Sequence, residues 1–148
     1  MPLSLSNIIL HIVFSTKNRE PSLDTDTQQK IYAYFVKAFA DHKCPIYKIG
    51  GTKDHIHIAC SFARTLTVGD LIRDVKISST KWIKEKTLKE FSWQKGYGVF
   101  SVSQSQLSKL ENYIGTQKEH HRQKSFQEEL LELLQKHHVS YDENYLWD

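Results

Sequence analysis

The chain has 148 residues, of which 39% are hydrophobic and 25% charged, the profile of an ordinary soluble globular protein long enough for one real core. No apolar run approaches the ~20 residues of a membrane helix, and the first residues lack the basic region of a secretory signal. The formal net charge of +3 is uneven: residues 64–124 carry 12 basic and 6 acidic groups, whereas 125–148 carry 1 and 6. Such a basic middle suits a polyanionic partner, although a solvated lysine-rich helix face gives the same count. Two cysteines, Cys44 and Cys60, make no disulfide framework, so a reducing cytoplasm is the expected location.

Asn7 to Thr16 is rich in β-branched and aromatic residues and predicts a strand. Both its faces are largely apolar, with Ile8, Leu10, Ile12 and Phe14 on one and Ile9, His11 and Val13 on the other, as in a central strand. Asp24 or Asp26 can cap a helix to about His42, buried through Ile31, Tyr34, Phe35, Ala38 and Phe39. Cys44 to Ile49 predicts a short strand that Gly50-Gly51 breaks, and the turn through Lys53 makes a hairpin with the next strand.

That next strand, His55-Ile56-His57-Ile58-Ala59-Cys60, is the most informative stretch. Alternation puts His55 and His57 on one face and Ile56, Ile58, Cys60 and Phe62 on the other. Two such imidazoles can bind one divalent metal, and the apolar alternate face anchors them, though His-x-His also occurs by chance. Asp54 just before the strand either orients a histidine or serves the turn. A capped helix follows from Thr67 to about Lys86, basic through Arg73, Lys76, Lys81 and Lys84. Phe91 to Gln94 and Tyr97 to Val102 predict a last strand or bent hairpin.

Residues from about 104 to 123 predict a helix that carries Tyr113 and Gln117 four apart, hence on one face. A glutamine oxygen can complete a metal site and a tyrosine can act as a covalent nucleophile. Read alone, the pair is more often a packing tyrosine and a surface amide. Ser125-Phe126-Gln127-Glu128 is a capping box opening an acidic helix to His138. The aromatic tail after it is expected to pack down. The order β-α-β-β-α-β plus two helices predicts an α+β, ferredoxin-like (RRM-like) antiparallel four-stranded sheet with two helices on one face and C-terminal helices added. The first and third strands are then neighbours, and His11 shares the face of His55 and His57.

Taken together these stretches resemble the single-tyrosine HUH transposases of insertion sequences, with the REP-associated tyrosine transposases as near relatives. The resemblance rests on Gly50-Gly51-Thr52-Lys53-Asp54-His55-Ile56-His57, on Trp93 to Ser103, on Tyr113-Ile114-Gly115-Thr116-Gln117, and on Tyr141 to Trp147. Thr116 stands where Asn is commoner in the family. The likeness runs over nearly the whole chain and implies one transposase domain, 1–148. Its sheet core spans about 1–102, its nucleophile helix about 104–123, and its C-terminal helix and tail 125–148.

The resemblance implies that His55, His57 and Gln117 hold Mg2+ or Mn2+ and that Tyr113 attacks single-stranded DNA through a 5′-phosphotyrosine link. It implies a hairpin-bearing DNA substrate, and no nucleotide cofactor, because the phosphotyrosine bond keeps the free energy needed for rejoining. It also implies a homodimer whose nucleophile helix reaches the partner's histidines. Asp54, His11 and His121 are candidates to support the site, and Arg73, Lys76, Lys81 and Lys84 to contact phosphates. The competing reading is a non-catalytic or domesticated single-strand-binding protein on the same sheet, which would not need the histidines, tyrosine and glutamine together.

Overall fold

The computed structural model describes residues 2–87, 90–120 and 124–147. Four strands form one antiparallel sheet in the order β2-β3-β1-β4: β1 is Ile9–Ser15, β2 Ile46–Gly51, β3 His55–Ser61 and β4 Gly98–Val102. β1 and β3 are central neighbours, registered Val13 to His57 and His11 to Ala59, which is the ferredoxin-like arrangement the pattern predicts. Helices α1 (Thr25–Asp41) and α2 (Val68–Lys86) cover one face. Asp24 caps α1 by accepting from the Thr27 N–H, and Thr67 caps α2 by accepting from the Asp70 N–H.

Between those helices and the sheet lies the main core, built from Ile12, Phe14, Ile56 and Ile58 against Phe35, Phe39, Leu71 and Val75. Phe91 and Trp93 complete it; of the 91–94 stretch only Trp93 pairs, in a single bridge to Thr16, so this part is an anchor beside β1 rather than a strand. Trp93 satisfies its ring N–H by donating to Ser79 Oγ at 3.0 Å.

The opposite face, which carries the histidines, is covered as well. Helices α3 (Leu107–Gly115), α4 (Gln117–His120) and α5 (Phe126–Lys136) follow β4. Leu107 and Ile114 pack on Ile9 and Ala59, while Phe126, Leu130 and Leu134 pack on Val13 and Phe100. Burying apolar stripes of both helices supplies the stabilisation that holds them there. The tail forms one short turn, α6 (Glu143–Leu146), with Leu146 and Trp147 against the α5 cluster and Tyr145 in solvent.

Two elements differ from the sequence expectation. Gly50-Gly51 do not break β2; they are its last two paired residues, opposite His57 and Ile56. The reason is close approach rather than turning: a Cβ on Gly50 would stand 2.5 Å from the Ile114 carbonyl oxygen of α3. The expected single helix over 104–123 is interrupted. A 3-10 turn at Gln104–Gln106 precedes α3, and Thr116 (φ −111°, ψ 25°) separates α3 from α4. The Gly50 contact gives a direct expectation. Gly50→Ala overpacks the β2–α3 seam, costing about 1–3 kcal/mol of stability. It also pushes α3 away from the histidines, so the melting temperature should fall.

Candidate active site

Strand alternation delivers His55 and His57 to the α3/α5 side, and both are fully buried. Their Nε2 atoms converge on a carboxylate that sequence reasoning did not single out, Glu129 of α5. His57 Nε2 lies 2.7 Å and His55 Nε2 3.7 Å from Glu129 Oε1. Gln117 enters from α4, with Oε1 3.1 Å from His55 Nε2 and its amide N–H donating to Glu129 Oε2 at 3.3 Å. Tyr113, on α3, donates its hydroxyl hydrogen to Glu129 Oε2. The nucleophile candidate and the histidine pair are therefore joined through one carboxylate.

The outer ring nitrogens are held as well. His55 Nδ1 lies 2.7 Å from Asp54 Oδ1 and 2.9 Å from Thr52 Oγ1, and the Thr52 hydroxyl donates to the same Asp54 oxygen. His57 Nδ1 lies 2.8 Å from His11 Nε2, the two rings stacking at 5.0 Å. Such partners fix ring orientation and tautomer, which leaves both Nε2 atoms aimed inward. His121 lies outside the described residues.

The donor set fits a divalent cation. His55, His57 and Glu129 each offer a ligand atom, all within 4.8 Å of one another, and the Gln117 oxygen adjoins them. Two imidazoles with carboxylate and amide oxygens are a mixed nitrogen and oxygen set of intermediate hardness. A cation between them would offset the cost of burying the carboxylate.

The electrostatics follow from burial. Desolvation, and then the neighbouring His57, lower the His11 pKa to about 3, so its ring is neutral near pH 7. Desolvation, reinforced by the hydrogen bond to Glu129 and its charge, raises the Tyr113 phenol well above its ordinary value. The resting side chain is thus a phenol, not a phenolate. For His11 the sign of the linkage is fixed: unfolding restores an ordinary pKa, so the unfolded chain binds the extra proton between about pH 3 and 6.5. Stability should fall as pH drops through that window, and His11→Gln should flatten the fall by up to about 1.4 kcal/mol per pH unit. Chemical denaturation across the pH range measures this.

The structure brings together His55, His57, Tyr113, Gln117, Asp54 and His11. It does not bring Arg73, Lys76, Lys81 or Lys84 to them, since α2 lies on the other side of the sheet. Arg73 pairs with Asp70 and Asp74, and Lys76 donates to the Gln94 and Gly96 carbonyls at 2.8 and 2.6 Å. Lys81 and Lys84 are exposed on the outer surface. Glu129 had a signal in the sequence: it sits three after Phe126 and four before Leu133, a carboxylate on the apolar face of an amphipathic helix. The capping box explained Glu128 and left Glu129 looking like one more surface acid.

Within this chain α3 sets Tyr113 beside these histidines, its ring centroid 5.7 Å from that of His57. The class of the protein comes from its family: the comparison places the chain among DNA transposases. The family described as "Transposase IS200 like" matches residues 4–117, and the chain belongs to that family. Among solved structures it is similar to a protein from Deinococcus radiodurans R1 provisionally named a transposase, at 16% identity and TM-score 0.64, covering 77% of this chain and 93% of that one. It is also similar to a REP-associated tyrosine transposase bound to a REP hairpin, at 15% identity and TM-score 0.61, covering 80% of this chain and 71% of that one. At these identities the likeness establishes the shared fold. A search of curated proteins finds no significant match. No helix among the described residues is long and apolar enough to cross a membrane.

Proposed function

We infer that the chain cleaves and rejoins single-stranded DNA through a covalent 5′-phosphotyrosine intermediate, acting in the cytoplasm as one transposase domain over 1–148. The observation that carries this is the Glu129 carboxylate, shared between the Tyr113 hydroxyl and the buried histidine pair. A nucleophile tied to a metal-compatible cluster is what in-line phosphoryl displacement requires, and a packing tyrosine has no use for it.

His55, His57, Gln117 and Glu129 would hold Mg2+ or Mn2+, with Asp54 and His11 orienting the rings. The bound cation supplies Lewis-acid polarisation of the scissile phosphate and neutralises charge that develops on its oxygens. Tyr113 attacks phosphorus: the bond from its hydroxyl oxygen to phosphorus forms as the bond to the 3′-oxygen breaks, and the departing oxygen takes a proton from water to leave a free 3′-OH. Because the resting side chain is a phenol, its proton must leave as the bond forms, and the Glu129 oxygen already accepting it is placed to receive it. The 3′-OH of a cut strand attacks the phosphotyrosine in the reverse sense, which rejoins DNA without a nucleotide cofactor.

A hairpin-bearing substrate is supported by the relative that is bound to a REP hairpin. Arg73, Lys76, Lys81 and Lys84 stay candidates for contacts to such a hairpin away from the reacting phosphate. In a homodimer, exchange of α3 between subunits would rebuild the same cluster from two chains. Co-assembled His57→Ala and Tyr113→Phe subunits recover cleavage only in that exchanged arrangement.

The decisive experiment uses the intact protein, Mn2+ and end-labelled single-stranded DNA taken from the regions flanking its gene. A covalent protein–DNA adduct that survives denaturation is the expected result. Tight binding across all flanking DNA with no adduct would replace this reading with a non-catalytic binding protein.

A further inference from the structure

A cleft of about 680 Å³ opens between α3 and α5 over the β1–β4 half of the sheet. Its size is that of a site for a small organic ligand such as one nucleotide. Tyr113 and Glu129 both line it, so it leads from solvent to the nucleophile and the carboxylate that holds it. The helical spacing repeats this pairing on each wall. Lys109 precedes Tyr113 by four residues on α3, and Lys136 follows Glu129 by seven on α5, so each helix presents a site residue and a lysine to the same groove.

Both lysines are exposed, and neither has an ion-pair partner among the described residues. The acid on the rim, Glu132, is already neutralised by Lys124, at 2.7 and 2.8 Å to its two oxygens. Leu110 and Leu133 give the two helical walls apolar surface, beside the polar Ser101, Ser103 and Gln106 of the floor and rim. A second cleft, on the β2 side of α3, reaches Gln117 but is not lined by Tyr113.

We propose that the α3–α5 cleft seats the single-stranded DNA next to the scissile phosphate, with a base between Leu110 and Leu133 and flanking phosphates on Lys109 and Lys136. Charge argues for this occupant: two exposed lysines, one from each helix, line a slot of nucleotide size that also holds Tyr113. The inference rests on the strand-cleaving function proposed above, and it assigns the substrate path on this chain. It places the phosphate contacts nearest the chemistry on α3 and α5, on the other side of the sheet from α2.

The test uses the full chain with Mn2+ and a fluorescein-labelled 12-nucleotide oligo-dT, with binding read by anisotropy over a salt series. The variants are Lys109→Gln/Lys136→Gln, a charge-matched control on α1 and the loop after it, Lys37→Gln/Lys43→Gln, and the α2 pair Lys81→Gln/Lys84→Gln. The cleft variant should bind at least about tenfold more weakly. Its slope of log K against log salt should be shallower by about 1.4, as expected for two lost phosphate contacts on a single strand. The control should bind as the parent does, and all variants should melt at the parent's temperature, because these side chains are exposed. Equal losses in the cleft and control variants would reduce the effect to net charge and overturn the proposal, as would a larger loss in the α2 pair. Adduct formation on flanking DNA is scored separately, so a wild-type protein that binds through the cleft yet forms no adduct overturns the cleavage reading and leaves the binding site standing.

Discussion

Tyr113→Phe should abolish the covalent DNA adduct and lower strand cleavage by on the order of 10³-fold or more, while leaving the fold intact. The substitution removes one oxygen. The ring keeps its packing beside His57 (centroids 5.7 Å apart) and against the Ile9, Ala59, Leu107 and Ile114 cluster. What is lost is the oxygen proposed to attack and one hydrogen bond to Glu129, a bond whose net worth to stability is about 1 kcal/mol. Affinity for single-stranded DNA should be nearly unchanged, which separates binding from chemistry. An adduct formed by the Phe variant at the parent's rate would remove Tyr113 from the reaction.

Glu129→Gln is the second large effect. Gln has nearly the same shape; its one carbonyl oxygen can accept from Tyr113 while its NH2 faces His57 Nε2, so the helix should stay docked. The lost negative charge should lower Mn2+ affinity by about 10- to 100-fold or more, by analogy with the loss of groups that support metal ligands. Cleavage should then need more Mn2+ and return only in part when it is added. A calorimetric Mn2+ titration and a cleavage assay at several Mn2+ concentrations measure both. Faster cleavage than in the parent would mean that the carboxylate competes with the substrate phosphate, the opposite of the role given to it here.

Much of the fold was legible because strands and helices leave local periodic traces. β1 showed as a run of β-branched and aromatic residues and β3 by its period-2 pattern, α1 and α2 carried caps, and the β-α-β-β-α-β order then left few topologies. His55 and His57 were legible because strand alternation alone sets their shared face. Gly50-Gly51 misled because a glycine pair usually marks a turn, and the backbone approaching it belongs to α3, 64 residues further on from Gly50 to Ile114. The break at Thr116 lies in a stretch with no proline to announce it; Gln117 still reaches the histidines, now from the start of α4. Glu129 was missed for a related reason. Its partners are fixed by tertiary packing of α5 on Val13 and Phe100, and nothing within a few residues of it names them.

The separation between His57 and Glu129, 72 residues, bears on the life of the protein before it is released from the ribosome. The β2–β3 hairpin is local and can pair as it emerges, whereas β1 must wait for β3 and then for β4. A nascent chain that has reached residue 120 holds the histidines, the tyrosine and the glutamine, but not the carboxylate that joins them. On the function proposed for this site, cutting competence arrives only when α5 docks, so a ribosome carrying an unfinished copy would not carry an active nuclease. Chains carried clear of the ribosome on an unstructured linker fused after residue 120 or after residue 147, and offered labelled single-stranded DNA, should show activity only in the longer one.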